Sequence, residues 1–226
     1  MEHTVAAVVV AAGSGKRMGL QVKKQYLNIN GYPVLYYCLK AFKDYGVNKI
    51  VLVVPKEDIE YCKEHIVNPY GFDKIVVLVA GGKERYDSVL AGLTLVEEDF
   101  VLIHDGARPC ISANLIDKCV QAVKKYKACI LSVPAKETIK IVNEEGIIVD
   151  TPKRSLVWLA QTPQAFETQA LKKAYTNPIT ENMAITDDAM MVEYFLNMPV
   201  KVVEGEYTNI KITTKEDIKI AEDYLK

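Results

Sequence analysis

Residues 5–19 read VAAVVVAAGSGKRMG, an unbroken apolar run followed by a turn that contains glycines and two cations. Such a run is typical of a strand that is buried on both faces of a parallel sheet. Open α/β sheets bind ligands at the carboxyl ends of such strands. Small residues let backbone amides approach phosphate oxygens closely, and Lys16 and Arg17 add positive charge there. The stretch therefore predicts a central strand that leads into an anion-binding loop.

Apolar runs of the same kind recur along the chain, at residues 50–54, 75–79, 100–103 and 128–133. Segments with helical periodicity lie between them, at residues 34–44, 57–65, 85–96 and 114–125. Helices are also expected at 168–175 and 187–195, followed by a strand at 200–204 and a closing helix. This alternation predicts a Rossmann-like α/β fold whose sheet is mostly parallel and covered on both faces. No repeat or linker interrupts the pattern, so we expect one domain over residues 1–226.

Two β-like runs break the alternation at residues 137–142 and 147–151. The residues between them, NEEG at 143–146, are turn formers, so the segment at about 136–155 predicts a protruding β-hairpin arm. Apolar residues fall on both faces of this arm, and an isolated hairpin is at best marginally stable in water. We therefore expect a homodimer in which a second copy of the chain buries the arm.

The overall composition limits the kinds of partner and compartment. The 226 residues include 28 basic and 29 acidic ones, and this balance argues against nucleic acid or an anionic membrane as partner. Five cysteines without a C-x-x-C pair are typical of reduced packing residues. Neither a signal-peptide pattern nor an apolar run of about 20 residues is present, so a cytoplasmic location is expected.

A dinucleotide-binding loop is the first alternative for the glycine-rich turn. Its pattern G-x-G-x-x-G is met by Gly13 and Gly15, but Met18 occupies the third position. The second predicted strand ends at Val54 and Pro55, where a site for NAD needs an acidic residue for the ribose hydroxyls. The pattern disfavours this interpretation.

A Walker A loop is the second alternative, suggested by Gly15 and Lys16. It fails at two positions, because Val10 stands where the first glycine belongs and Arg17 replaces the Ser or Thr that holds Mg²⁺. A plain tight turn, the third alternative, explains the glycines but not the two cations beside them.

A longer series of segments carries a family resemblance. Residues 11–18 and 24–27 match the nucleotidyltransferase signature A-A-G-x-G-x-R-M followed by K-Q-[YF]-L. Further matches follow in order: GGKERYDSV at 81–89, HDGARP at 104–109, Arg154 with Trp158, QTPQAF at 161–166, TDDA at 186–189 and NIKIT at 209–213. Over nearly its whole length the chain thus resembles the 2-C-methyl-D-erythritol 4-phosphate cytidylyltransferase family of the non-mevalonate isoprenoid pathway. Lys23 stands beside the signature lysine, and the Lys-Gln-Tyr register favours Lys24.

The resemblance implies an enzyme that transfers the cytidylyl group of CTP to 2-C-methyl-D-erythritol 4-phosphate and releases pyrophosphate, with Mg²⁺ as cofactor. The attacking phosphate has its second pKa near ~6, so it is ionised at neutral pH and needs no general base. Positive side chains and Mg²⁺ must instead stabilise the charge on the transferring group.

The same resemblance implies roles for individual residues. The expected catalytic residues are Arg17, Lys24, Arg154 and Lys211. The expected nucleotide site consists of Ala11, Ala12, Gly13, Ser14, Gly15, Lys16, Gly82, Ser88 and Asp105, and Asp105 is also the candidate ligand for Mg²⁺. The expected acceptor site consists of Ala107, Arg108, Thr138, Arg154, Thr186 and Lys211.

Simpler structural roles are expected for several other residues. His104 is expected to hold the end of its strand rather than to form a catalytic dyad with Asp105. Asp187 and Asp188 are expected to cap a helix rather than to bind metal. Cys110 is expected to be buried.

Ribitol 5-phosphate cytidylyltransferase is the nearest alternative family, because it shares the loop, the K-Q-[YF]-L segment, the Thr-Pro-Gln run and the Asn-Ile-Lys segment. Ala107, Cys110 and the Tyr-Asp-Ser run at 86–88 favour methylerythritol phosphate as acceptor. A catalytically silent nucleotide-binding regulator and an NAD-linked oxidoreductase are the alternatives from other classes.

Overall fold

The computed structural model describes residues 3–13, 23–177, 183 and 185–226. The strands are Val5–Val10 (β1), Asn28–Ile29 (β2), Tyr32–Pro33 (β3), Lys49–Val54 (β4), Val76–Ala80 (β5), Phe100–Asp105 (β6), Ala128–Pro134 (β7), Ile141–Val142 (β8), Ile148–Asp150 (β9), Trp158–Glu167 (β10) and Lys201–Glu204 (β11). The helices are Val34–Tyr45 (α1), Ile59–Cys62 (α2), Arg85–Leu93 (α3), Ala113–Tyr126 (α4), Thr168–Tyr175 (α5), Asp188–Leu196 (α6) and Lys215–Tyr224 (α7).

The main sheet has seven strands in the order β11-β7-β10-β6-β1-β4-β5, with β1 in the interior as predicted. β1 pairs in parallel with β4 on one side and with β6 on the other. The chain first extends the sheet through β4 and β5 and then crosses to β6 on the opposite side of β1. At such a switch point the loops diverge, and a crevice opens beyond the carboxyl ends of β1 and β6.

Helices cover both faces of this sheet, which confirms the predicted α/β architecture. Ala7 and Val9 belong to a core cluster with α1 and α4, whereas Ala6 and Val8 belong to a second cluster with α3, α5 and α6. Successive strand residues face opposite sides of a sheet, so the unbroken apolar run of β1 supplies both cores. None of the helices in the described ranges is long and apolar enough to cross a membrane.

One long strand was absent from the expectations. β10 runs antiparallel to both β6 and β7, with a register shift between Ala160 and Gln164. The sequence does not indicate this strand, because polar residues and Pro163 lie in the middle of the segment. Buried strands are usually apolar, and proline cannot donate a hydrogen bond to a sheet ladder. The side chains of Gln161 and Thr162 are buried and hydrogen-bonded, which makes the segment compatible with the interior.

The predicted arm is present as a two-stranded antiparallel ribbon of β8 and β9. Asn143 closes its turn by accepting a hydrogen bond from the Ile147 amide at 2.9 Å, and Gly146 takes a positive φ of 79°. The apolar side chains of the ribbon and of the segment after it are exposed, among them Ile148, Val149 and Leu156. An exposed apolar ribbon of this kind is unusual for a surface that stays in water.

The remaining expectations differ in detail. The predicted helix at 57–65 is composite, because a 3₁₀ turn at Lys56–Asp58 leads into α2 and a wider π turn follows at Lys63–Val67. All five cysteines lie in the described ranges as free thiols, and four of them are buried. Cys110, which was expected to be buried, is only half-buried because it lies at the border of a small peripheral core cluster.

Candidate active site

A pocket of about 360 Å³ opens where the carboxyl ends of β1 and β6 diverge. Its lining combines the end of β1, the segment after β5 and the end of β6 with residues from two distant parts of the chain. Most of the expected nucleotide and catalytic residues meet here: Ala11, Ala12, Gly13, Lys24, Gly82, Ser88, Asp105 and Lys211. Ala107, which was expected in the acceptor site, lines this pocket as well. Four other expected residues, Ser14, Gly15, Lys16 and Arg17, lie outside the described residues, and their roles stay predictions.

Gln25 holds the start of the glycine-rich loop. Its buried side chain donates hydrogen bonds to the carbonyl of Ala11 at 2.7 Å and to that of Gly13 at 3.4 Å. Gln25 belongs to the K-Q-[YF]-L segment, but no role was predicted for it from the sequence. Its position beside the signature lysine was the available signal for a structural role, since a buried amide side chain must find hydrogen-bonding partners.

Small residues form the narrow wall of the pocket. A Cβ atom at Gly81 would lie 2.4 Å from the Cβ of Ala12 and 2.8 Å from the Oγ of Ser88, so only glycine fits without displacement. The Ser88 hydroxyl accepts a hydrogen bond from the Gly82 amide at 3.2 Å and donates one to the Glu84 carbonyl. This wall is therefore both close-packed and polar.

The two adjacent lysines have different surroundings. The Nζ of Lys23 is 2.7 Å from an oxygen of Asp58, which also accepts a hydrogen bond from the Tyr26 hydroxyl at 2.8 Å. Lys24 lies in the pocket lining, and its Nζ donates to the Ile212 carbonyl at 3.1 Å. Of the two lysines, Lys24 is the one that lines the pocket, and its catalytic role stays a prediction.

Asp105 ends β6 and lies at the centre of a cluster of cations. Its carboxylate is 2.7 Å from the Nζ of Lys211, 3.5 Å from the Nε of Arg85 and 3.8 Å from the Nε of Arg108. Burial alone would raise the pKa of this carboxyl, but the three cations, Lys211 foremost, hold its pKa well below the ordinary value. Asp105 is therefore a fixed negative charge.

Arg85 is a residue that the sequence analysis did not assign. Both of its terminal nitrogens donate to the fully buried carboxylate of Asp188, at 2.9 and 2.7 Å. Asp187, the residue before, caps α6 by accepting the Met190 amide at 3.1 Å, which is the role expected for it. Arg85 and Asp188 both belong to quoted motifs, but nothing in the sequence indicated that they bind each other.

A second pocket of about 190 Å³ shares Arg85, Asp105 and Lys211 with the first. Its further lining includes Arg108 and Thr186, both expected to bind the acceptor. These shared residues lie between the two pockets and include two cations and one carboxylate. The two pockets and their common wall thus suit a reaction between two anions.

Two expected acceptor residues lie apart from these pockets. Thr138 and Arg154 are exposed at the base of the arm, where Arg154 donates to the Lys136 carbonyl at 3.2 Å. Within one chain the structure does not bring them to either pocket, so their predicted roles depend on a second copy.

His104 is buried and holds the strand end, as expected. The Thr162 hydroxyl accepts the Asp105 amide at 3.0 Å, so its own hydrogen goes to Nδ1 of His104 at 3.0 Å. The carbonyl of Arg108 can only accept, so Nε2 carries the ring hydrogen and donates to it at 3.1 Å. Burial lowers the pKa of His104 to about 4, and the ring is neutral at physiological pH.

Metal binding in this site would depend mostly on the substrate. Among the residues that the structure describes, no group of three or more His, Cys, Asp or Glu side chains could form a metal cage. Mg²⁺ is commonly bound through one or two carboxylates together with substrate phosphates. Asp105 can supply one such carboxylate, so the residues fit a metal ion that arrives with a nucleotide.

The fold is that of a nucleotidyltransferase enzyme, and Lys24 and Lys211 lie in the pocket at the end of its first strand. The chain belongs to the 2-C-methyl-D-erythritol 4-phosphate cytidylyltransferase family, whose model matches residues 5–226. This confirms the resemblance derived from the sequence motifs.

Relatives with that name include one from Lachnoclostridium phytofermentans, 50% identical over 98% of this chain and 96% of the relative. Another, from Lachnospira eligens, is 46% identical over 97% of this chain and 98% of its own length. Among solved structures, the 4-diphosphocytidyl-2C-methyl-D-erythritol synthase of Anaerococcus prevotii superposes with a TM-score of 0.87 at 35% identity, covering 99% of this chain and 96% of that one.

We expect the structural role of His104 to make the fold sensitive to acid. Its pKa of about 4 in the folded chain is below the unfolded value, so the unfolded state binds more protons and stability falls as pH decreases. Between pH 7 and pH 5 this residue should remove about 2 kcal/mol of unfolding free energy. Urea denaturation at both pH values measures the loss.

The matched control for this experiment is His104→Gln, whose amide can still donate to the Arg108 carbonyl but does not titrate in this range. The control should lose clearly less stability between the two pH values. If it were as acid-sensitive as the parent chain, the predicted role of His104 would be wrong.

Proposed function

We propose that this chain transfers the cytidylyl group of CTP to 2-C-methyl-D-erythritol 4-phosphate, giving 4-diphosphocytidyl-2-C-methyl-D-erythritol and pyrophosphate. The observation that carries the proposal is the pair of adjoining pockets separated by Arg85, Asp105 and Lys211. Family membership over residues 5–226 supports this choice of nucleotide and acceptor.

In this proposal the larger pocket binds CTP. The small residues Ala12, Gly82 and Ser88 line this pocket and leave room for a flat pyrimidine, and their backbone and hydroxyl groups can hydrogen-bond the base. The triphosphate would extend along the loop that begins at Gly13, toward Lys24 and the expected cations Lys16 and Arg17. Backbone amides and lysines in such a loop are effective phosphate ligands.

The smaller pocket would bind the acceptor. Arg108 and Thr186 would contact its phosphate and hydroxyl groups, with Lys211 beside the attacking oxygen. That oxygen attacks the α-phosphorus of CTP, a new P–O bond forms, and pyrophosphate leaves. Positioning and positive charge dominate catalysis of such a step, which fits a site with several cations and a neutral, enclosed His104.

Mg²⁺ is proposed to accompany the triphosphate, with Asp105 as the chain's candidate ligand. When bound, the metal would offset the negative charge of the nucleotide and of the leaving pyrophosphate. Lys24 and Arg17 would then stabilise the charge that develops around the α-phosphorus.

The arm is proposed to join two chains into a homodimer with composite sites. Its apolar side chains are exposed in the single chain, with Ile148 56% and Leu156 76% exposed. Burial of such residues against a second arm would stabilise the dimer. Arg154 and Thr138 would then reach the acceptor pocket of the neighbouring chain.

A cytoplasmic location is also proposed. Free thiols at all five cysteines suit a reducing compartment, and such a compartment supplies CTP.

The choice of acceptor is tested by measuring pyrophosphate release from CTP and Mg²⁺ with each alcohol phosphate. We expect kcat/KM for 2-C-methyl-D-erythritol 4-phosphate to exceed that for ribitol 5-phosphate by at least ~100-fold, because a misplaced hydroxyl leaves buried polar groups unpaired. A preference for ribitol 5-phosphate would contradict the proposed function.

The role of Lys24 is tested against its neighbour. Lys24→Met should lower kcat by at least ~100-fold, the usual cost of removing one transition-state donor, with a much smaller effect on the KM for CTP. Lys23→Met is the matched control, since Lys23 pairs with Asp58, and it should stay within about fivefold of the parent. The opposite ranking would assign the catalytic role to Lys23.

Composite sites can be tested by mixing two inactive variants, Lys24→Met and Arg154→Ala. If each site combines Lys24 of one chain with Arg154 of the other, a mixed dimer contains one intact site. Random exchange of chains should then restore about a quarter of the parent activity, since half of the dimers are mixed. Mixed dimers without recovered activity, or a fully active monomer in sedimentation, would contradict this arrangement.

A further inference from the structure

The most extensive polar contact network beside the pockets connects α3 to α6. Arg85 opens α3 and binds the buried Asp188 with both terminal nitrogens, while its Nε faces Asp105 at 3.5 Å. Two of the five N–H groups of the guanidinium thus donate to Asp188, and the two carboxylates raise the pKa of Arg85 well above its ordinary value against the effect of burial. Arg85 lines both pockets, and its terminal nitrogens are held by Asp188.

Asp188 fixes the start of α6 through several contacts. Besides Arg85, its carboxylate accepts the Tyr175 hydroxyl of α5 at 2.6 Å. The Oε1 of Gln164 in β10 accepts the backbone amides of Asp188 and Ala189, both at 3.0 Å. The first turn of α6 is thus held by α3, α5 and β10.

The two residues directly before α6 form part of the smaller pocket. Thr186 and Asp187 line the smaller pocket, whereas Asp188 lines neither pocket. The Asp187 carboxylate accepts the Gln164 amide at 2.9 Å, so its orientation depends on the same contacts. Any change in the Arg85–Asp188 contact should therefore move Thr186 relative to Asp105 and Lys211.

We propose that Arg85 and Asp188 are positioning residues that hold Thr186 and the Asp105–Lys211 pair at the separation the acceptor phosphate requires. This inference rests on the proposed function, since it concerns how the acceptor of that reaction is held. A bidentate arginine–carboxylate pair is suited to the task because its two parallel hydrogen bonds fix both distance and orientation. Errors of about 1 Å in the placement of a reacting group can cost about 100-fold in rate.

The test uses Asp188→Asn, which keeps the size of the side chain but removes its charge and one acceptor. The KM for the acceptor should rise at least ~10-fold, because Arg85 loses its bidentate partner and α6 loses its anchor. Calorimetry should find the Kd for CTP within about threefold of the parent value, because Asp188 lines neither pocket.

Tyr175→Phe is the matched control. It removes a hydrogen bond to the same buried carboxylate but leaves Arg85 and its two contacts in place. We expect a lower melting temperature with an unchanged acceptor KM. If Tyr175→Phe and Asp188→Asn raised the acceptor KM equally, the pair would be merely structural and the inference would be wrong.

A second variant covers the case in which Asp188→Asn does not fold. The double change Arg85→Met with Asp188→Leu removes both charges together, and apolar replacement of a buried ion pair is often tolerated. This variant should fold and still show an acceptor KM raised at least ~10-fold. An acceptor KM equal to that of the parent, or a loss confined to CTP binding, would overturn the inference.

The acceptor preference of the parent chain distinguishes a failure of the proposed function from a failure of this inference. If it used ribitol 5-phosphate instead of methylerythritol phosphate, the proposed function would fail. The acceptor KM of each variant would then be measured with ribitol 5-phosphate, and the same ranking of variants would still decide the inference.

Discussion

The site depends on one buried carboxylate, that of Asp105. A charged group in the interior is costly unless opposite charges compensate it, and Asp105 is compensated by Lys211, Arg85 and Arg108. These cations come from α3, from the loop after β6 and from a segment far along the chain. Keeping Asp105 charged therefore requires α3 and the segment that contains Lys211 to converge on the loop after β6, and residues from this convergence line both pockets.

The sequence predicted those features that depend on local periodicity and on the order of elements. The apolar run at residues 5–12 indicated a strand between two cores, and β1 supplies both of them. The carboxyl end of the first strand was expected to bind a ligand, and Ala11 there lines the larger pocket; Gly82 and Asp105 were assigned to the same site by resemblance and line it too. Lys24 and Lys211 were placed there only by resemblance, since no periodicity indicates where a lysine side chain ends.

Other features arise from contacts that a linear pattern does not encode. β10 lacks the apolar run of a buried strand, because its polar side chains are satisfied by partners elsewhere in the fold, such as His104 and the start of α6. Arg85 and Asp188 form a bidentate pair across 103 positions of sequence. Gln25 likewise binds the carbonyls of Ala11 and Gly13, which lie 14 and 12 positions away along the chain. In each case the missing information was the identity of a distant hydrogen-bonding partner.

Residues 209–213 pass through the site and form hydrogen bonds with several of the segments that line it. The side chain of Asn209 donates to the Thr162 carbonyl at 2.9 Å, the amide of Ile212 donates to the Ala107 carbonyl at 2.8 Å, and the Ile212 carbonyl accepts from Lys24. During translation these residues are synthesised after all the other described residues that line the two pockets. A nascent chain consequently carries Asp105 without Lys211, its nearest cation, until all the strands of the main sheet have already been synthesised.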